Sequence, residues 1–146
     1  YYGEEVGMAG GKDPENRGGM VWEEARWQKD LLETVKRLAR LRKEHPALRT
    51  APYLRIYAQD GHLAFARGPH LAVVNASPHP FRQDFPLHGV FPRGGRAVDL
   101  LSGEVCTPQG GRPCGPVLPP FSLALWREAE RAPSKRRSQS FSPSCP

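Results

Sequence analysis

The adjacent acids Glu4 and Glu5 are the first residues of this sequence with the side chains needed for acid–base chemistry. Two carboxyl groups that converge on one bond can act as a general acid and a general base. Neighbouring residues on an extended segment, however, point to opposite faces of the backbone. The sequence therefore predicts that these two carboxylates do not converge on one bond, and we assign a catalytic role to no residue of the chain.

The histidines and cysteines lack the spacing of a metal site. No His-x-x-x-His or Cys-x-x-Cys pair occurs, although zinc sites are commonly built from closely spaced ligands. We therefore predict no metal ion, and no P-loop, dinucleotide fingerprint or Gly-x-Ser-x-Gly motif points to a cofactor. For Cys106, Cys114 and Cys145 we expect unpaired thiols in a reducing cytoplasm, with a Cys106–Cys114 bridge as the alternative.

The first third of the chain is predicted to be a loop followed by a helix. With 146 residues, the chain is too short for a complete (β/α)8 barrel, which takes about 250. Residues 1–22 are punctuated by glycines and are typical of a loop. Apolar residues then recur every three or four positions over 23–45, which predicts an amphipathic helix, and Pro46 ends it.

From residue 53 onward the hydrophobic pattern has the period of a strand. Alternating segments at 53–57 and 62–67 flank Asp60-Gly61, a strong hairpin signal. A continuous apolar run at 71–75 is typical of a buried central strand. Further strands are predicted at 81–85, 96–101 and 121–126, with 103–116 as a loop. Short strands about ten residues apart favour a mostly β domain, an antiparallel sandwich or barrel.

The net charge of +6 is concentrated near the end of the chain. Residues 131–146 contain four basic residues and no acid, and Pro and Ser dominate the remainder, so we predict a disordered basic tail over 129–146. Such a tail could contact nucleic acid or a membrane surface. Because aromatic residues for stacking are scarce there, we expect no nucleic-acid partner. No run approaches the roughly 20 apolar residues of a membrane span, so we expect no membrane partner.

Two strings in the first 50 residues resemble one enzyme family. They are Tyr-Tyr-Gly-Glu-Glu-Val-Gly-Met at 1–8 and Gly-Gly-Lys-Asp-Pro-Glu-Asn-Arg at 10–17. With Met20 and Trp22, they resemble the eighth βα unit of the alpha-amylase family (glycoside hydrolase family 13), and above all its neopullulanase, cyclomaltodextrinase and maltogenic amylase subgroup. The predicted helix is similar to the last barrel helix of that family, and the strands to its C-terminal β-sandwich, domain C.

The resemblance implies three parts: residues 1–50 as a remnant of the last barrel unit, 51–128 as the β-sandwich, and 129–146 as the tail. It implies a C-terminal fragment of an enzyme that cleaves starch, pullulan or cyclodextrins, with its N-terminal barrel missing. The family cleaves α-glucosidic bonds with retention, using two carboxyl groups about 5–5.5 Å apart. Those groups precede the segment present here, so we expect the fragment alone to be inactive.

Within the loop, Asp13 and Arg17 match the family's Asp and Arg that bind sugar hydroxyls. A carboxylate accepts from two neighbouring hydroxyls, and a guanidinium donates in a fixed fork. The alternative is a surface pair that only closes the loop. Trp22 could stack on a sugar, but we expect a buried anchor at the start of the helix. The sequence departs from the subgroup at Asn16, where Cys is usual, and in lacking prolines at 18–22, which implies a looser loop.

The implied ligand is an α-glucan oligosaccharide or polysaccharide, and the implied location is the cytoplasm. Two other functions stay open at this point. A free-standing β-sandwich could bind carbohydrate without cleaving it, which would need exposed aromatic residues on one strand face; Tyr53, Tyr57 and Phe65 are the candidates, but alternation alone does not say which face is buried. A basic interaction module could instead use residues 131–137.

Overall fold

The computed structural model describes residues 2–82, 89–91, 96–107 and 117–129. They belong to two compact units, Tyr1–Ala51 and Pro52–Pro146. The predicted basic tail beyond residue 129 and the greater part of the predicted strand 81–85 lie outside the described residues. The assignment of the units to a barrel remnant and a sandwich domain stays a prediction.

Short helical turns and one long helix make up the first unit. Its elements are three 3-10 turns at Glu4–Val6, Glu15–Arg17 and Glu24–Arg26, then helix α1 (Lys29–Glu44) and helix α2 (Ala47–Thr50). The predicted helix over 23–45 is confirmed for most of its length and wrong at its start. Gln28 has an extended backbone (φ −77°, ψ 90°), and its N–H donates to the Val6 carbonyl at 3.0 Å. The helix therefore begins at Lys29.

The end of α1 lies where Pro46 predicts it. The His45 N–H donates to the Leu41 carbonyl at 2.9 Å. The guanidinium of Arg49, in α2, donates to the carbonyls of Arg42 and Lys43. These bonds satisfy last-turn carbonyls that have no partner within a helix. None of the residues of α1 is fully buried, so its apolar side is only partly covered within the described residues.

Antiparallel strands form a single sheet in the described part of the second unit, which confirms the predicted mostly β class. The strands are β1 (Tyr53–Gln59), β2 (His62–Arg67), β3 (His70–Asn75), β4 (Ala97–Asp99), β5 (Val105–Cys106) and β6 (Ser122–Glu128). Their order in the sheet is β1-β2-β3-β6-β4-β5. The loop predicted over 103–116 is wrong at β5, because a strand of two residues is too short to show a period.

The hairpin between β1 and β2 has the predicted turn. Asp60 and Gly61 both have positive φ, 51° and 77°, which is the conformation of a type I′ turn. The predicted central strand is confirmed as well, because β3 pairs with β2 on one side and β6 on the other.

The core of the second unit lies on one face of this sheet. Alternate residues of β2, β3 and β6 are buried there: Ala64, Ala66, Leu71, Val73, Ala124 and Trp126. Tyr57 packs against this core. The rings of Tyr53 and Phe65 pack against each other at a tilt of 32°, with their centroids 5.1 Å apart. Phe65 lies between the buried Ala64 and Ala66 in the chain, so it points to the opposite face. The structure thus separates three aromatic residues that the alternation could not assign.

Candidate functional site

The loop between Met8 and Gly18 carries both predicted site residues. It is folded by local hydrogen bonds, since the Glu15 N–H donates to the Lys12 carbonyl at 2.7 Å and the Arg17 N–H donates to the Pro14 carbonyl at 2.9 Å. These bonds form the turn Glu15–Arg17, which brings Arg17 back toward Asp13.

Asp13 and Arg17 meet in a forked ion pair. The Arg17 Nε lies 3.0 Å from Asp13 Oδ1, and Nη2 lies 3.4 Å from Oδ2. Both side chains stay exposed, 66% for Arg17 and 62% for Asp13. Each carboxylate oxygen has room for a second hydrogen bond, and a guanidinium has five donors. The pair can therefore close the loop and still offer donors and acceptors to a polyhydroxyl ligand; the contact with sugar stays a prediction.

A cleft of about 290 Å³ lies beside this loop. Its lining combines carboxylates, an amide, a hydroxyl and an apolar sulfur-containing side chain, from Glu4, Glu15, Asn16, Tyr2 and Met8. The lining includes Asn16, the neighbour of Arg17, but neither member of the ion pair. Mixed polar and apolar walls of this kind suit a sugar, which has hydroxyls at its edge and C–H groups on its faces.

Gly11 lies against the side chain of Glu15. A Cβ at position 11 would lie 1.9 Å from Oε2 of Glu15 and 3.1 Å from its Cδ. Because these atoms are the far end of a flexible, exposed side chain, the carboxylate can turn aside, and this approach does not by itself require glycine at position 11.

The expectation of a buried anchor at Trp22 is wrong. Its side chain is 78% exposed. Trp27, five residues later, is half-buried and donates its indole N–H to the Val21 carbonyl at 2.7 Å. Trp27 thus anchors the chain before α1, because the 3-10 turn Glu24–Arg26 delays the start of the helix and moves the anchoring position along the chain.

The extended conformation expected for Glu4 and Glu5 is also wrong, because both belong to the 3-10 turn Glu4–Val6. Successive residues of such a turn are about 120° apart, so the two carboxylates still point in different directions. Glu4 is exposed and Glu5 is half-buried. The backbone conformation differs from the expected one, but the carboxylates of Glu4 and Glu5 still point away from each other.

Metal-binding and membrane-spanning features were sought in the described residues. There, no group of three or more His, Cys, Asp or Glu side chains could hold a metal ion. None of the helices in the same part of the chain combines the length and apolar character needed to cross a membrane. The thiol and disulfide predictions fall outside the described structure, since Cys114 and Cys145 are not described and only the backbone of Cys106 is.

One residue of the site was not predicted from the sequence. The Tyr2 hydroxyl donates to the Gly18 carbonyl at 2.6 Å, across 16 positions of the chain. It joins the start of the first unit to the end of the loop. No local sequence pattern predicts such a contact, because the contact depends on how the loop folds back.

Comparisons with known proteins bear on both units. The family model described as "Neopullulanase-like, C-terminal domain" matches residues 53–127. A cyclomaltodextrinase from Geobacillus thermopakistaniensis (strain MAS1) is 36% identical over 132 residues, which cover 86% of this chain and 22% of that protein. The chain therefore spans about a fifth of the length of this curated relative.

Two solved structures have a similar fold. The crystal structure of Ttha1563 from Thermus thermophilus matches with a TM-score of 0.81 and 98% identity, over 88% of this chain and 27% of that chain. An alpha-amylase from Geobacillus thermoleovorans matches with a TM-score of 0.75 and 21% identity, over 90% of this chain and 29% of that chain. At that identity the second likeness concerns the fold alone.

Proposed function

Since this chain belongs to the neopullulanase-like C-terminal domain family, we propose that it is the C-terminal part of a glycosidase that cleaves α-glucosidic bonds in starch, pullulan or cyclodextrins. The resemblance to alpha-amylase-family enzymes is confirmed by this family match and by the cyclomaltodextrinase relative. In this proposal the two reacting carboxyl groups of a retaining mechanism lie in a barrel that precedes the chain, and the loop Met8–Gly18 contributes to substrate binding.

The observation that carries the proposal is the extent of the match to the cyclomaltodextrinase, which covers 86% of the chain. Residues 53–146 make up less than two thirds of the chain. A match of that extent must therefore include part of the first unit, where the candidate site lies, and not the family domain alone.

The exposure of the Asp13–Arg17 pair supports a role in binding. An exposed ion pair typically contributes only about 0–1 kcal/mol to stability. The stability of the loop alone therefore does not account for two charged groups aligned in this way. A forked pair at the surface of a loop, beside a cleft with polar walls, is better suited to hydrogen-bonding neighbouring hydroxyls of a sugar ring.

The test is to replace each member of the pair in the enzyme that contains this chain. We expect Asp13→Ala and Arg17→Ala each to raise the Michaelis constant (KM) for maltooligosaccharides about tenfold, the cost of losing hydrogen bonds to a charged group. The rate constant kcat should change little, because neither residue touches the bond that breaks. Initial rates measured over a range of substrate concentrations give both values.

The matched control is Arg26→Ala. Arg26 is exposed like Arg17 and lies 3.9 Å from Glu23 in a similar short-range ion pair, but it is outside the loop. We expect the kinetic constants of this variant to equal those of the unmodified enzyme. An unchanged KM in both Asp13→Ala and Arg17→Ala would mean that the pair only closes the loop, and it would overturn the proposed role in binding.

A second candidate function, carbohydrate binding without cleavage, is favoured by the surface of β1 and β2. Tyr53 is 49% exposed, its ring packs at a tilt against that of Phe65, and the Arg67 guanidinium lies 5.9 Å from the centroid of the Tyr53 ring. Aromatic rings fixed on a strand face can stack on the C–H face of a sugar. This surface would act as a binding module whether or not the chain is part of an enzyme.

Affinity electrophoresis in gels containing starch tests this second function. If the surface binds, the chain migrates more slowly in starch, and Tyr53→Ala restores normal migration. Phe121→Ala is the control, because Phe121 is 73% exposed but precedes β6 rather than lying on the face of β1 and β2. Equal migration of the unmodified chain with and without starch would exclude the module at the concentrations used.

A further inference from the structure

The segment that follows the Asp13–Arg17 pair is held from two sides. At its start, the Tyr2 hydroxyl donates to the Gly18 carbonyl at 2.6 Å, within the usual range for O–H···O bonds. Three residues later, the indole N–H of Trp27 donates to the Val21 carbonyl at 2.7 Å. The two donors come from different parts of the unit, the residues before the first turn and the residues before α1.

Gly18 is bonded directly to Arg17 along the chain, so the Tyr2 hydrogen bond acts one residue away from the candidate guanidinium. The ion pair cannot fix its own position by packing, because both side chains are about two-thirds exposed. Its place in the site is set by the backbone of the turn Glu15–Arg17. Whatever holds Gly18 therefore holds the direction in which this turn presents the pair.

We propose that Tyr2 is a positioning residue, whose hydroxyl fixes the backbone at Gly18 so that the guanidinium of the adjacent Arg17 meets the hydroxyls of the bound sugar. This inference rests on the proposed function. Holding a polar pair in its binding geometry before the ligand arrives lowers the entropy cost of binding. Tyr2 thus acts through Arg17 rather than by its own contact with the sugar.

The alternative is a direct contact, since Tyr2 is 51% exposed and lines the cleft. The two roles differ in their dependence on Arg17. A positioning hydroxyl has nothing left to position once the guanidinium is removed, whereas a hydroxyl that touches the sugar continues to contribute. Double-mutant cycles measure this difference.

The experiment compares Tyr2→Phe in the unmodified enzyme and in the Arg17→Ala background. We expect Tyr2→Phe alone to raise KM for maltooligosaccharides about threefold to tenfold, the effect of one hydrogen bond, with kcat within about twofold. In the Arg17→Ala background the same change should leave KM unaltered. Thr34→Val is the control, because it also removes a hydroxyl that donates to a backbone carbonyl (Asp30, 2.9 Å), but on α1.

A readout without substrate accompanies the kinetics. If Tyr2 holds the turn, Tyr2→Phe speeds hydrogen exchange at the amides of Glu15 and Arg17, which donate within the loop, while Thr34→Val does not. Equal KM effects of Tyr2→Phe in both backgrounds, or unchanged exchange at these two amides, would overturn the positioning role. If Arg17→Ala itself leaves KM unchanged, the proposed sugar contact of Arg17 is wrong. This outcome distinguishes a failure of the proposed function from a failure of the positioning role of Tyr2.

Discussion

At the scale of single residues, the buried amide of Asn75 forms hydrogen bonds through both its nitrogen and its oxygen. The residue is 1% exposed. The two N–H groups of its Nδ2 are shared among the carbonyls of His79, Pro119 and Leu118, which lie at 2.8, 2.7 and 3.3 Å. Its Oδ1 accepts from the N–H and hydroxyl of Ser77 at 3.0 and 2.8 Å. One side chain thus ties the end of β3 to the segment before β6.

The sequence Asn75-Ala76-Ser77 formally matches a glycosylation acceptor, and these hydrogen bonds show whether its side chain is accessible. The nitrogen that would carry the glycan belongs to a buried side chain, and its two N–H groups are taken up by three backbone carbonyls within hydrogen-bonding distance. In the folded domain it is therefore inaccessible to a glycosyltransferase.

The first prediction concerns this amide. Asn75→Asp replaces the donor with a carboxylate oxygen that faces carbonyl oxygens, so we expect the free energy of unfolding to fall by about 3 kcal/mol, the cost of buried polar groups left without partners. Asn16→Asp is the control, because Asn16 is exposed, and it should change stability by less than about 0.5 kcal/mol. Chemical denaturation followed by circular dichroism gives both values, and equal stability of the two variants would contradict the role of Asn75.

At the scale of elements, the β1–β2 hairpin depends on its turn more than on the space around it. A Cβ on Gly61 would meet its nearest neighbours at 3.6 Å, an ordinary contact, but φ is +77°. Residues with a side chain rarely adopt this conformation, and only glycine does so without cost. The constraint at this position is therefore conformational rather than steric.

We expect Gly61→Ala to lower the free energy of unfolding by about 1–2 kcal/mol. Gly61→Asn should cost less, because Asn tolerates the left-handed region better than other residues. The control is Gly89→Ala, since a Cβ there meets none of the described residues within 4 Å and Gly89 has no positive φ. Thermal unfolding of the three variants ranks them, and a loss for Gly89→Ala equal to that for Gly61→Ala would contradict a conformational cause.

At the scale of the whole molecule, the chain combines a unit that carries the candidate sugar contacts with a unit that carries the family domain. Glu4 and Glu5 do not converge with each other on one bond, because they belong to the same 3-10 turn. Binding groups without a pair of reacting carboxyl groups can hold a glycoside but cannot cleave it with retention.

We therefore expect the purified chain of 146 residues to release no reducing sugar from starch, pullulan or cyclodextrin above a buffer control. The enzyme that includes the proposed barrel is the positive control in the same assay. Release that increases in proportion to the purified chain would contradict this prediction, and the Glu4→Gln and Glu5→Gln variants would then show whether either acid is responsible.

Features that depend on neighbouring residues could be predicted before the fold was known. The alternation in β1, β2 and β6, the apolar run of β3, the Asp60-Gly61 turn and the body of α1 follow from local conformational preferences and from the pattern of the apolar residues. Asp13 and Arg17 can also be identified from the sequence, because the loop motif that carries them resembles that of a known family. Their spacing of four residues is compatible with the ion pair that they form.

Features that join distant residues became visible only in the folded chain. Strand β3 pairs with β6 across 47 to 57 positions of the chain. Asn75 reaches the carbonyls of Leu118 and Pro119 across 43 and 44 positions, and Tyr2 holds Gly18 across 16. No local period encodes these contacts. The burial of Trp22 was wrongly predicted for the same reason, since burial depends on what packs against a side chain. Local sequence sets the backbone preference and the amphipathic pattern of each segment. Strand pairing, side-chain burial and the geometry of the site depend on contacts between distant segments, which exist only in the folded chain.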